Sequence, residues 1–211
     1  MSMEKEVARA LVEIGAVRFT PDAPITFKSG IISPVYVDNR KLPFYPKEWK
    51  VVLSAFEKKI KENKIHFDIV AGVESGGIPH SAALGFMLDT PSVFVRKQLK
   101  DHGTKSRIEG GEVRGQAVLL VEDMVSTGAS SLAAVEALRD EFAVVTDCIA
   151  IVSYNFPDAL EAFEKANATL HSLTTFPVIL EEAVALGKIS EPDAERVRAW
   201  FADPYNWVAK V

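Results

Sequence analysis

The chain has 211 residues, of which 48% are hydrophobic, enough for one domain with a substantial core. Its formal net charge of −5 excludes a broadly basic surface for nucleic-acid binding. Cys148 is the only cysteine, which excludes a disulfide framework or a cysteine metal cluster and indicates a reducing cytoplasm. No stretch has the length of a membrane span, and the N-terminus has no secretory apolar core. We therefore expect a cytoplasmic protein with a single domain over residues 1–211.

The first 45 residues predict one helix followed by short, interrupted strands. Apolar residues recur at helical spacing within residues 1–14, whereas residues 17–19 and 25–37 have strand composition broken by proline and glycine. Lys28 lies inside this irregular region. Taken alone, it is either a solvated loop lysine or a contact for an anion.

Helices and strands alternate after residue 46, and the first strand of this part, over residues 65–73, ends in a glycine-rich turn. The predicted elements are a helix over residues 47–61, a strand over 65–73, a helix from about 79 to 88 and a strand over 92–95. The turn is Gly72-Val73-Glu74-Ser75-Gly76-Gly77. Glycines at such a turn let backbone amides approach an anion closely, although many turns use glycine only for its positive φ.

A basic segment follows, over residues 96–111. It has almost no apolar residue, and its basic side chains are Arg96, Lys97, Lys100, His102, Lys105 and Arg107. Such a segment cannot bury itself, so we expect it to be mobile unless a ligand orders it. It is either a solvated loop or a cationic flap that closes over a polyphosphate.

The most informative stretch covers residues 117–131. Five apolar residues predict a strand buried on both faces, which ends at Glu122 and Asp123. A small polar loop and a helix over residues 132–139 follow. The unpaired amides that open such a helix suit a phosphate, and the two acids could hold sugar hydroxyls or magnesium. The alternative is an acidic pair with a purely structural role, although acids are seldom fully buried unless they are paired.

The rest of the chain continues the alternation, which indicates a mainly parallel α/β sheet flanked by helices. The predicted elements are a strand over residues 144–153, a helix over 159–166, a strand over 170–173 and helices over 178–186 and 193–202. Ligands of such sheets bind beyond the carboxyl ends of the strands, where the three turns described above would cluster. The sequence has neither a P-loop nor a dinucleotide-binding turn, and its four histidines are too scattered to predict a metal site.

Three motifs now give a specific resemblance. Residues 118–128 resemble the phosphoribosyl pyrophosphate (PRPP) signature of the type I phosphoribosyltransferases. Arg96-Lys97-x-x-Lys100-Asp101-His102-Gly103 is similar to the catalytic flap of the orotate phosphoribosyltransferase family. Phe27-Lys28-Ser29-Gly30-x-x-Ser33-Pro34 is similar to the N-terminal motif of that family, beside its orotate pocket.

The resemblance implies a type I phosphoribosyltransferase fold with a small N-terminal hood (about residues 1–45) and a mobile catalytic loop (about residues 97–115). It implies a transferase of pyrimidine (UMP) biosynthesis that converts PRPP and orotate to orotidine 5′-monophosphate and pyrophosphate. It further implies Mg²⁺, carried mainly by PRPP rather than by a certain set of protein ligands, and a homodimer whose active site is shared across the interface.

The resemblance also implies roles for individual residues. The PRPP-binding residues are Arg96, Lys97, Lys100, His102, Glu122, Asp123, Met124, Val125, Ser126, Thr127, Gly128, Ala129 and Ser130. The pyrophosphate turn contains Gly72, Ser75, Gly76 and Gly77, and the orotate contacts are Lys28 and Ser126. The catalytic residues are Lys100, His102 and Asp123.

Two departures from the family pattern leave alternatives open. The pyrophosphate turn has no lysine, and Tyr154-Asn155 stands where many members place an arginine for orotate. One alternative is a phosphoribosyltransferase for another nucleobase. The other is a PRPP-sensing regulator without catalysis, which the acidic balance and the cationic flap both argue against.

Overall fold

The computed structural model describes residues 1–27, 30–98 and 106–207. The predicted contact residues Lys28, Lys100 and His102 lie outside these ranges. None of the helices in the described ranges combines the length and the apolar character needed to cross a membrane.

Helices and strands alternate along the described chain. The α-helices are α1 (Met3–Glu13), α2 (Pro46–Glu62), α3 (Gly77–Met87), α4 (Ala129–Asp140), α5 (Pro157–Lys165), α6 (Phe176–Ala185) and α7 (Glu191–Ala202). The strands are β1 (Val17–Phe19), β2 (Ile25–Thr26), β3 (Ile32–Ser33), β4 (Val35–Val37), β5 (Ile69–Val73), β6 (Ser92–Val95), β7 (Ile108–Glu109), β8 (Ala117–Val125), β9 (Val144–Ser153) and β10 (Thr169–Thr175). A 3-10 helix covers Asn39–Phe44.

The main sheet has six strands within the described residues, in the order β10-β9-β8-β5-β6-β7. Every neighbouring pair is parallel except β6 and β7. This confirms the predicted α/β class with a mainly parallel sheet. The chain leaves β5 toward β6 and returns to β8 on the other side of β5, so the strand order reverses between β5 and β8. Ligands of open α/β sheets bind at such a reversal, beyond the carboxyl ends of the strands.

Strand β8 is buried on both faces, as its unbroken apolar run predicts. Val118 and Leu120 pack into one hydrophobic cluster with α4, whereas Leu119 and Val121 pack into a second cluster with α1, α2 and α6. The sheet therefore lies between two layers of helices.

The prediction that β8 ends before the two acids was wrong. The strand continues to Val125 because β9 extends equally far and pairs with it, with Glu122 opposite Ala150 and Val125 opposite Ser153. Glu122 and Asp123 are consequently held by a sheet partner rather than by a loop. The following helix, α4, begins at Ala129, three residues earlier than the apolar pattern predicts.

The predicted hood (about residues 1–45) contains two short antiparallel pairs, β1 with β4 and β2 with β3. Helix α7 fixes the second pair from the far end of the chain. Trp200 donates a hydrogen bond from Nε1 to the carbonyl oxygen of Ile32 at 2.8 Å, and its ring lies edge-on to Phe27 with 6.5 Å between centroids. The hood is thus attached to the C-terminal helix as well as to the sheet.

Part of the predicted mobile loop joins the edge of the sheet. Strand β7 pairs with β6, and Arg107 donates hydrogen bonds to the carbonyl oxygens of Arg96 at 2.7 Å and Ala133 at 3.0 Å. Sequence reasoning did not predict this strand. Residues 99–105 lie outside the described ranges, so the mobility of the loop stays a prediction.

Candidate active site

A cavity of about 550 Å³ opens where the strand order reverses, between the hood and the carboxyl ends of β5 and β8. Its wall consists of Ile25, Thr26, Phe27, Tyr36, Val37 and Arg40 from the hood, Glu74, Ser75 and Gly76 after β5, Lys97 after β6, and the continuous run from Glu122 to Ser131. Its volume is within the range of sites that hold small molecules.

The structure brings most of the predicted site residues together in this wall. The predicted residues that line it are Ser75, Gly76, Lys97, Glu122, Asp123, Met124, Val125, Ser126, Thr127, Gly128, Ala129 and Ser130. Three other predicted residues do not line it. Gly72 and Gly77 are buried against neighbouring elements, and Arg96 lies with Nη1 3.6 Å from Oε1 of Glu109. The ligand contacts of all these residues stay predictions.

The acidic pair is held by three different elements. Glu122 is only 4% exposed, and its carboxylate accepts hydrogen bonds from the backbone N–H of Asp123 at 3.0 Å and from Oγ of Ser131 at 3.3 Å. The carbonyl oxygen of Asp123 accepts a hydrogen bond from Nδ2 of Asn39 at 2.7 Å. Strand β8, helix α4 and the start of the 3-10 helix therefore meet at the pair.

Burial shifts the titration of both acids. It raises the pKa of Glu122 well above the usual carboxyl value, and the charge of Asp123 adds to the effect. Burial also raises the pKa of Asp123, while contact with Glu122 and the positive charge of Arg40 oppose the increase. A hydroxyl-rich ligand in the cavity would supply the hydrogen-bond donors that two adjacent carboxylates require.

The turn after β8 has the backbone shape of an anion site. Gly128 has φ +80°, a left-handed conformation, and a Cβ at this position would lie 3.0 Å from Cε2 of Phe163. Both features require glycine. Helix α4 begins at the next residue, so its unpaired amides and the positive end of its dipole face the cavity wall formed by residues 126–131. This arrangement suits a phosphate group.

The turn after β5 packs directly against the acidic pair. A Cβ on Gly76 would lie 2.3 Å from Cγ of Asp123, and a Cβ on Gly77 would lie 2.3 Å from the carbonyl oxygen of Val121. Only glycines let the two strand ends approach this closely. Glu74 in the same turn accepts a hydrogen bond from the backbone N–H of Lys97 at 2.8 Å, which ties the turn to the start of the predicted flap.

Sequence reasoning missed several residues of the hood that reach the site, among them Tyr36, Asn39 and Arg40. Tyr36 and Arg40 line the cavity, and Asn39 bonds to the backbone of Asp123. The local signal is the polar run Asp38-Asn39-Arg40 directly after an apolar strand. Such a run is equally typical of a solvated turn, so the contact of these residues with β8 is visible only in the folded chain.

Tyr154 occupies the position after β9 where an arginine would be expected. Its side chain is fully buried, its ring stacks on Phe176 with 5.2 Å between centroids, and burial raises the pKa of its hydroxyl. The hydroxyl oxygen has no hydrogen-bond partner within the described residues. Tyr154 therefore belongs to the aromatic core beneath the hood rather than to the cavity wall.

Comparison with known proteins identifies the family of this chain. Residues 46–164 match the Phosphoribosyl transferase domain family. The orotate phosphoribosyltransferase of Coxiella burnetii is 44% identical over 207 residues, which cover 98% of this chain and 99% of that protein. The crystal structure of orotate phosphoribosyltransferase from Aeropyrum pernix has a TM-score of 0.75 and 30% identity, with 87% of this chain and 99% of that chain covered. The Mycobacterium tuberculosis enzyme in complex with PRPP has a TM-score of 0.64 and 26% identity, with 84% and 99% covered.

The chain therefore belongs to the phosphoribosyltransferase family, whose domain covers more than half of it. The near-full-length similarity is more specific than the domain match. It places the chain among the orotate phosphoribosyltransferases.

Gly76→Ala tests the close approach of the two turns. The added Cβ would overlap the carboxyl group of Asp123, so we expect a loss of about 1–3 kcal/mol in the free energy of unfolding, as for other overpacked sites. For a chain of this size, each kcal/mol corresponds to a decrease of roughly 2–4 °C in Tm, which calorimetry can measure. Gly111→Ala is the matched control, because a Cβ there would meet only Cγ1 of Val93 at 3.6 Å. Equal Tm values for the two variants would contradict the overlap.

Glu122→Gln tests how much the burial of an ionised carboxylate lowers the stability of the folded chain. Because the pKa of Glu122 is raised in the folded state, the folded chain holds this proton more tightly than the unfolded chain does. The resulting destabilisation grows as the pH rises above the usual carboxyl pKa and is complete above the folded pKa. We expect the variant to have a higher Tm than the parent at pH 8 and a much smaller advantage at pH 4. The exposed Glu136→Gln is the control on α4, and an unchanged Tm of Glu122→Gln at pH 8 would refute the interpretation.

Proposed function

We propose that this chain transfers the 5-phosphoribosyl group from PRPP to orotate, giving orotidine 5′-monophosphate and pyrophosphate in pyrimidine biosynthesis. The observation that carries the proposal is the convergence of three features on one cavity. An acidic pair, an amide-lined turn at the start of α4 and a glycine-lined turn after β5 all face the same space. These features match the three parts of PRPP, which are the ribose hydroxyls, the 5-phosphate and the pyrophosphate.

The proposed binding mode follows from this match. Glu122 and Asp123 hold the ribose 2- and 3-hydroxyls, and the backbone from Met124 to Ser130 binds the 5-phosphate. The pyrophosphate lies toward Ser75, Gly76 and Lys97. Orotate lies toward the hood, near Ser126 and the predicted contact Lys28.

The chemistry requires no protein nucleophile. As the bond from the anomeric carbon to pyrophosphate breaks, its electron pair leaves with the pyrophosphate, and positive charge develops on the ribose. A ring nitrogen of orotate forms the new bond to the anomeric carbon and loses its proton, which passes to the departing pyrophosphate or to water. In this proposal Asp123 stabilises the positive charge, while Lys100 and His102 are the predicted donors to the leaving group.

Magnesium fits the oxygen donors of the cavity. Mg²⁺ is usually held by one or two carboxylates together with substrate phosphates, and Glu122 and Asp123 are two such carboxylates. No group of three or more metal-ligating side chains occurs in the described ranges. We therefore propose that Mg²⁺ arrives mainly with PRPP, with Asp123 as the nearest protein ligand, and that it neutralises charge on the phosphates.

The proposal includes a homodimer with a shared active site. Phe86, at the end of α3, is 92% exposed, and α3 begins in the pyrophosphate turn and leads to β6 and the flap. Burial of this ring against a second copy would remove a large apolar surface from water. We propose a cytoplasmic location as well, since Cys148 is a buried free thiol, as suits a reducing compartment.

The transferase assay follows the loss of orotate ultraviolet absorbance in the presence of PRPP, with and without Mg²⁺. We expect loss that requires both PRPP and Mg²⁺. Parallel incubations with purine bases distinguish an enzyme for orotate from a phosphoribosyltransferase for another base. Turnover of a purine alone, or PRPP binding with no turnover of any base, would overturn the proposal.

Lys100→Ala tests the predicted flap donor. A lost donor to developing charge typically lowers turnover by about 10² to 10³, so we expect a decrease of this size with an unchanged Tm. The control is Lys165→Ala, which removes an exposed lysine from α5, and which should leave turnover unchanged. Undiminished turnover of Lys100→Ala would remove this lysine from the mechanism.

Phe86→Glu tests the proposed dimer surface. A charge in place of the exposed ring should convert the dimer to a monomer, as measured by light scattering. It should also lower activity if the site is shared. Leu160→Glu is the control, because this leucine is 45% exposed on α5. A monomeric parent protein, or an unchanged mass of Phe86→Glu, would contradict this surface.

A further inference from the structure

The pyrophosphate turn of this chain lacks a positive charge. Its residues from Glu74 to Gly77 include an acid and no base, yet the proposed ligand carries several negative charges at this position. Within the described wall of the cavity, the basic side chains are Arg40 and Lys97. Lys97 belongs to the predicted flap, whereas nothing in the sequence analysis assigns a role to Arg40.

Two hydrogen bonds within the hood orient the guanidinium of Arg40. Its Nε donates to Oδ1 of Asp38 at 2.6 Å, and its Nη2 donates to the hydroxyl of Tyr36 at 3.0 Å. Its Nη1 has no partner within the described residues. The side chain is 54% exposed and lines the cavity, so a fixed guanidinium edge is available to an anion. The planar fork of a guanidinium matches phosphate oxygens well.

Arg40 shares the cavity wall with the pyrophosphate turn and with the acidic pair. The preceding residue, Asn39, is bonded to the backbone of Asp123, and the charge of Arg40 acts on the carboxylate of Asp123. That carboxylate in turn lies against Gly76 of the pyrophosphate turn, where a Cβ would approach it to 2.3 Å. Arg40, Asp123 and Gly76 thus all line the same cavity.

We propose that Arg40 is a pyrophosphate-binding residue, whose guanidinium contacts the diphosphate of PRPP and of the leaving group in place of a lysine in the turn. The inference rests on the proposed function, because it assigns a residue to one subsite of that reaction. Asp38 and Tyr36 act as positioning residues, since they hold the guanidinium and leave Nη1 for the ligand.

Binding of inorganic pyrophosphate with Mg²⁺, measured by calorimetry, tests the proposal independently of turnover. We expect Arg40→Gln to weaken this binding roughly tenfold or more, as the loss of a charge-assisted hydrogen bond predicts, and to leave orotidine 5′-monophosphate binding within about twofold. Arg40→Lys should restore part of the affinity. Arg18→Gln is the matched control, because the Arg18 guanidinium lies 5.0 Å from the Tyr36 ring but does not line the cavity.

Tyr36→Phe keeps the inference testable if Arg40→Gln unfolds. It removes only the hydroxyl that holds Nη2, and it should weaken pyrophosphate binding by a smaller factor with an unchanged Tm. Unchanged pyrophosphate affinity in folded Arg40→Gln, or equal losses in Arg18→Gln, would overturn the inference, as would a loss confined to orotidine 5′-monophosphate. In those cases an active parent protein would leave the proposed function standing. A parent protein that neither binds pyrophosphate nor consumes orotate would overturn both.

Discussion

Two adjacent acids near the end of β8, of which Glu122 is buried and Asp123 is half-buried, are the constraint on which the site depends. Unpaired carboxylates are costly to bury, and here hydrogen bonds from Oγ of Ser131 and from the backbone N–H of Asp123 reduce that cost for Glu122. Ser131 of α4 donates to Glu122, while Asn39 of the 3-10 helix donates to the backbone of Asp123. Each contact fixes one element relative to β8. The same pair of residues therefore sets the position of the phosphate-binding turn and of the hood.

The glycines complete this arrangement by letting two strand ends meet. Because the strand order reverses between β5 and β8, the turns that follow them diverge and leave a crevice. Gly76 and Gly77 let the first turn approach Asp123 and Val121, and Gly128 lets the second turn reverse into α4. The site thus places hydrogen-bond acceptors and donors side by side. The carboxylates suit hydroxyl groups, and the backbone amides suit phosphates. Such a site would accelerate the reaction mainly by positioning its reactants. Holding two reactants together can lower an activation barrier by about 7–11 kcal/mol, which is more than the stabilisation from a single hydrogen-bond donor.

Local pattern was enough to predict the central part of the fold and much of the cavity wall. The buried run of β8, the acids and the small polar loop are neighbours in the chain, so their order alone predicts a strand, a turn and a helix. The features that sequence reasoning missed depend on distant partners. The last four residues of β8 are strand because β9 extends beside them, and β7 forms only on the free edge of β6. Asn39 reaches Asp123 across 84 residues, a contact that no local pattern contains.

After β9, this chain has Tyr154 rather than the arginine that many family members place there. Tyr154 is fully buried and stacks on Phe176, so a charged side chain at that position would enter an aromatic core. Tyr154 instead packs edge-on against Phe27 of the hood, with 6.1 Å between ring centroids, and Trp200 supports Phe27 from a second side. In the proposed reaction, Phe27 is part of the wall on the base side of the cavity. The C-terminal helix, which is remote in sequence, therefore takes part in holding the hood.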